Sequence, residues 1–162
     1  MKWIAFPLHP ETPEEGLTLE ELFAGRDIDV PSMLDHLKNV AADCGLPFGM
    51  RSKTFNSRRA HELGKWAESM NKGEEFHLAV FKAYFADGRN IAKVPVLVQI
   101  AESVGLKGAE EVLSKGEFKE AVDSDWKYSR SRQITAVPTF VAKGRMVVGA
   151  QPYNVLEELL KA

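Results

Sequence analysis

Cysteine, histidine and carboxylate side chains are the groups whose spacing could carry chemistry, and here they are scattered. Cys44 is the one cysteine among the 162 residues. The sequence therefore holds neither an internal disulfide nor a CxxC pair. A lone thiol can act as a nucleophile or a metal ligand. Cys44 shares an apolar helical stripe with Leu34, Leu37 and Ala41, which predicts a buried, inert side chain. His9, His36, His61 and His77 match no zinc pattern, and after His61-Glu62 the position that would complete one is Lys65. No metal is expected. Asp123 and Asp125 point to different sides of one helix and make a poor acid–base pair. Glu14-Glu15, Glu74-Glu75 and Glu110-Glu111 read as solvated faces or helix first turns. Neither GxGxxG nor a P-loop occurs, and no cofactor is expected.

One further constellation is made of backbone. In "AVPTFVAKGRMVVGAQPY", Ala136 to Tyr153, a strand-forming run is entered through Pro138. Proline has no amide hydrogen and pushes Val137 toward extended angles, so it suits a strand start or an edge. On residue types alone this is a simple strand start. The sharper alternative is a cis Val137-Pro138 bond that holds an open backbone edge beside a binding cleft.

Composition bounds the classes. A 44% apolar fraction supports a substantial buried core, in one domain or a small core with an insertion. A formal charge of −2 gives no electrostatic case for nucleic acid. The basic run "RSKTFNSRRAHELGK" reads as a solvated helix face. No stretch has the roughly 18 to 20 apolar residues of a membrane span. "MKWIAFPLHPETPEEG" does not resemble a signal peptide, because Pro7, His9 and Pro10 interrupt it. A single thiol suits a reducing compartment.

The elements that must position these groups follow from periodicity. Lys2–Phe6 reads as a short strand, and Pro7–Gly16 as an extended connection. Thr18 caps a helical turn to Ala24. Helices are expected over Ser32–Cys44, from an Asn56 cap to Met70, over Glu74–Ala86, from Pro95 to Val104, over Ala109–Lys115 and over Glu117–Arg132. The dense aromatics Phe76, Phe81, Tyr84 and Phe85 read as a core wall. The period then changes to two. Thr139–Ala142 and Met146–Gly149 form a hairpin around "KGR", and Pro152 opens a last helix carrying Val155, Leu156, Leu159 and Leu160. A helical block inserted between strands of a small α/β core is the simplest architecture.

The same run from Ala136 to Tyr153 resembles the C-terminal signature of DsbA-like thioredoxin-fold proteins, in particular the FrnE-like branch of cytoplasmic disulfide oxidoreductases. "WIAFPLHPETPEEG" is similar to that family's second core strand and its exit. "CGLPFGMRSKTFNSRRAHELGKWA", "FHLAVFKAYFADGRNIA" and "VLVQIAESVGL" are similar to its inserted helices. The resemblance implies an α/β fold with a thioredoxin-like core of the DsbA type over residues 1–16 and 133–162. Residues 17–132 would then be an inserted all-helical domain and connecting helix. It also implies a strand and a CxxC helix before Trp3, where this sequence has Met1 and Lys2. The expectation is an N-terminally truncated core without catalytic thiols, and Cys44 does not replace them.

By this resemblance Pro138 is the cis-proline of the fold, and Val137, Pro138 and Thr139 are substrate-binding rather than catalytic residues. The implied function is protein thiol–disulfide exchange in the cytoplasm, with an extended peptide or protein thiol as partner. Two alternatives stay open. One is a redox-inactive peptide-binding module, and the other a relative of hydroxychromene-carboxylate isomerases and kappa-type glutathione transferases. A core short of one strand also leads to an expected homodimer, because two copies can satisfy exposed sheet edges.

Overall fold

A computed structural model describes residues 2–161. The chain divides into two compact units: His9–Val122, and the residues up to Leu8 together with those from Asp123 on.

The first unit is helical. Thr18 closes a capping box with Glu21 at the start of α1 (Leu19–Leu22), so two otherwise orphaned amides are satisfied reciprocally. The residues before it, β1 (Leu17–Thr18), pair with β2 (Lys53–Thr54) in a two-residue antiparallel ladder. Between them runs α2 (Val30–Asp43), with Asp29 as cap and Pro31 in its first turn.

The core lies beyond. It is formed by α3 (Arg58–Ser69), α4 (Gly73–Phe81), α5 (Val94–Ser103) and α6 (Ala109–Lys115). Leu63, Ala67, Phe76, Leu97, Ile100 and Ala101 are the centre of its packed cluster. Full burial of side chains such as Phe76 and Leu97 is worth about 1.5–3 kcal/mol each. Gly64 lets α3 and α4 approach closely, since a Cβ there would stand 2.8 Å from His77 Cε1.

α4 runs on into a π-helical turn, Lys82–Ala86, in which the Asp87 amide reaches back to Lys82. That widening shifts the carbonyls out of the α-helical ladder. The Phe85 carbonyl accepts from the Gly49 amide at 2.9 Å. Only glycine fits there, because a Cβ at 49 would lie 2.1 Å from the Ala86 carbonyl oxygen.

Two expectations are corrected in this unit. Cys44 is exposed, not buried. It caps the C-terminus of α2, and among the described elements no helix or strand packs along that helix, so Leu37 and Val40 are exposed as well. An apolar stripe buries its residues only when something covers it. The aromatic wall is also incomplete: Phe76 is fully buried, while Phe81 and Phe85 reach solvent.

The second unit contains the end of α7 (Lys119–Ser131), the hairpin β3 (Thr139–Ala142) and β4 (Arg145–Val148), and α8 (Tyr153–Lys161). The hairpin turn, Lys143-Gly144, has positive φ at both residues, 49° and 79°. That matches the twist of a two-residue connection. The hairpin pairs Thr139 with Val148, Phe140 with Val147, Val141 with Met146 and Ala142 with Arg145. One of its faces carries α8, through buried Leu159. There Arg145 Nη2 donates to the carbonyls of Glu158 and Leu159 at 2.8 and 3.0 Å, satisfying orphan acceptors at the helix end. Val141, Met146 and Val148 share the other face and are exposed.

Lys2–Phe6, expected as a strand, has no regular structure. A strand exists through its ladder, and the described sheets are the pairs β1–β2 and β3–β4, neither of which includes this segment. Its Ala5 amide donates instead to Asp125 Oδ2 at 2.8 Å, a carboxylate on α7 that is 8% exposed. Asp125 thus serves as a backbone anchor.

Candidate functional site

The segment from Gln133 to Thr139 is positioned from both ends. At its start α7 closes tightly. Gln133 adopts a left-handed φ of 55°, its amide returns to the Arg130 carbonyl at 3.0 Å, and the Ile134 amide returns to Ser129 at 3.1 Å. These are the paired bonds of a Schellman-type helix end, with glutamine where glycine is usual. At the far end, Thr139 Oγ1 donates to the Ala136 carbonyl at 2.6 Å, and the Gly149 amide donates to the Pro138 carbonyl at 2.8 Å. The Val137–Pro138 peptide bond is cis.

Val137 sits between these anchors. Among the described residues its N–H and C=O meet no hydrogen-bond partner, and the residue is 46% exposed. A donor and an acceptor left open on one residue can take main-chain bonds from an added chain. Pro138 is exposed too, and its nitrogen offers no competing donor. Thr139 is half-buried and begins the ladder with Val148. The three candidate residues are contiguous, and the strand begins at the third.

Two hollows lie in the helical unit. One, of about 10 Å³, is lined by Leu34, Lys38, Phe48 and Arg51 among others. The other is an open bowl of about 380 Å³ between Glu20 and Pro31. None of the residues that line them belongs to Val137–Thr139.

Electrostatics separate the remaining candidates. The basic run is engaged: Arg59 bonds Glu14 at 2.6 Å, Arg58 pairs with buried Glu62 at 2.7 Å, and the Arg51 guanidinium lies over the Tyr84 ring, 5.0 Å from its centre. Burial holds the His77 pKa below its ordinary value, and Glu68, 3.3 Å away, opposes that shift. Burial and the Arg26 charge lower His9 in the same direction. Among the described residues no group of three or more His, Cys, Asp or Glu side chains could hold a metal ion. No described helix is long and apolar enough to cross a membrane. Sequence reasoning missed the Ala5–Asp125 bond, which joins residues 120 positions apart and leaves no local signal.

A model of the DSBA-like thioredoxin domain family matches residues 1–161. A protein of Bacillus subtilis (strain 168), uncharacterized and named YwbO, is 33% identical over 111 residues, covering 62% of this chain and 52% of that protein. The chain thus spans about half the length of the curated relative it matches. Among solved structures, a probable DsbA oxidoreductase from Streptomyces coelicolor superposes with a TM-score of 0.85 at 27% identity, over 96% of this chain and 72% of that one. The cytosolic disulfide reductase DsbM from Pseudomonas aeruginosa, solved with GSH, gives a TM-score of 0.56 at 26% identity, over 76% of this chain and 68% of the other.

Proposed function

The chain belongs to the DSBA-like thioredoxin domain family, and from that premise we propose that Val137, Pro138 and Thr139 hold extended polypeptide substrates of thiol–disulfide exchange. The observation that carries this reading is the unpartnered backbone of Val137 on an exposed edge. Its N–H and C=O are open to main-chain bonding, which is tolerant of sequence. Cys44 is the one cysteine, so the 162 residues hold no thiol pair. The share of the reaction assigned to them is therefore substrate binding, since dithiol exchange needs an attacking and a resolving thiol. The run ending in "GAQPY", together with the helical unit, favours the FrnE-like branch of the family. The DsbM neighbour is a cytosolic reductase, which supports a cytoplasmic setting. The exposed face of Val141, Met146 and Val148 favours a homodimer.

The test is amide hydrogen exchange on the whole chain, with and without an unfolded, thiol-blocked protein. Slowed exchange at the Val137 amide is the expected result. Protection elsewhere with Val137 unchanged would refute the assignment.

A further inference from the structure

We propose that the Val137–Thr139 edge selects peptide segments that carry carboxylates, an inference that rests on its reading as the substrate ledge. Main-chain bonding at Val137 attracts any extended chain, so preference must come from the side chains around it. In the sequence on either side of it the charged side chains are of one sign. From Trp126 to Leu156 the sequence contains Lys127, Arg130, Arg132, Lys143 and Arg145 and no aspartate or glutamate. The unit that holds the ledge has seven lysines and arginines against four carboxylates, a surplus of three positive charges, in a chain whose net charge is −2. The helical unit carries the opposite surplus.

These cations are not spent on internal ion pairs. Arg145 alone is committed, to the α8 carbonyls. Lys127, Arg130, Arg132 and Lys143 are exposed and pair with no carboxylate among the described residues. Arg132 is held at the exit of α7 by stacking over the Tyr128 ring, 5.4 Å from its centre. The unit's own acids are occupied or lie outside the run: Asp125 bonds the Ala5 amide, and Glu157 pairs with Lys161 at 2.8 Å.

Six extended residues span about 20 Å. Arg132, at the α7 end, precedes Val137 by five residues, within reach of such a segment, and charges there act over a Debye length of roughly 8–10 Å. Rim charges of this kind govern partner choice, on-rate and salt dependence more than maximal affinity. The substrate class is an extended, acidic segment.

The experiment uses the whole chain and labelled peptides of about nine residues. All share one apolar centre and differ in flanks of Glu, Ser or Lys. Binding is read by anisotropy at about 0.05 M and 0.5 M salt, and the site by exchange of the Val137 amide. The Glu peptide is expected to bind about fivefold or more tighter than the Lys peptide at low salt, with the gap closing at high salt. Arg130→Gln with Arg132→Gln should reduce that gap to less than about twofold and leave the Ser peptide unchanged. Lys107→Gln, on the helical unit, should preserve it. Equal binding of the three peptides, each protecting Val137, would overturn charge selection while leaving the ledge intact. An equal effect of Lys107→Gln would reduce the preference to overall charge and overturn it also. Failure of every peptide to protect Val137 would remove both the ledge and the inference.

Discussion

The amide of Gly149 donates to the carbonyl of Pro138 at 2.8 Å, and this bond marks where the second unit's hairpin stops. On one side Thr139 enters the ladder opposite Val148. On the other, the Val137 N–H and C=O have no hydrogen-bond partner among the described residues. One residue separates paired backbone from available backbone, and the proposed function follows from that boundary.

The first prediction concerns the thiol. The 162-residue chain is expected to show no dithiol–disulfide turnover in insulin reduction or in oxidative refolding of a reduced protein, because one cysteine cannot both attack and resolve. Exposed Cys44 should react fully with a thiol reagent under native conditions. Turnover that disappears in Cys44→Ser would contradict this account.

Self-association follows from the uncovered face of the hairpin. Val141, Met146 and Val148 form one apolar face, with Tyr153 of α8 also largely exposed at 80%. An apolar face of this kind gains by burial against a copy of itself. Sedimentation equilibrium should reveal a concentration-dependent dimer, weakened by about tenfold or more in Met146→Lys. A wild-type monomer throughout the accessible concentrations would defeat this.

Gly49 tests the role of the π-helical turn. Gly49→Ala places a Cβ 2.1 Å from the Ala86 carbonyl oxygen, and backbone cannot yield as a side chain can. A loss of about 2–3 kcal/mol in chemical denaturation is expected, in the upper range for overpacking. Gly25→Ala is the contrast: nothing lies within 4 Å of the added atom, and only its φ of 78° is strained. That variant should lose about 1 kcal/mol. Equal losses would show that contact with Ala86 is unimportant.

His77 predicts a pH dependence. Its folded pKa lies below the ordinary value, chiefly through burial, with Glu68 raising it and Lys65 lowering it. The unfolded chain then binds the extra proton first. The stability linked to His77 is complete above its unfolded pKa near 6.5 and declines as pH falls through that value toward the folded pKa. Urea denaturation between about pH 7.5 and 5 should show this decline, flattened in His77→Gln. A decline unchanged in the variant would assign it to other groups.

Local chemistry was legible in the sequence. The Thr18 cap, Pro31 in the first turn of α2, the Lys143-Gly144 hairpin and the apolar period of α3 to α5 each depend on residues within a few positions of one another. Dihedral preference and capping act at that range, so the elements and their approximate bounds could be read directly. Pro138 was legible as the place where a strand begins, since a missing amide is a property of the residue itself.

What the tertiary structure decided depends on partners distant in sequence. Lys2–Phe6 has the composition of a strand and lacks a ladder, because pairing is supplied by another segment and not by propensity. Cys44 lies on an apolar stripe and is exposed, because burial requires a covering element. Asp125 proved to be an anchor for Ala5, and Gly49 a contact point for Ala86, through approaches that no local pattern encodes. The openness of Val137 is of the same kind. A free backbone edge is defined by which carbonyls and amides the rest of the fold has taken, and only the folded chain assigns those.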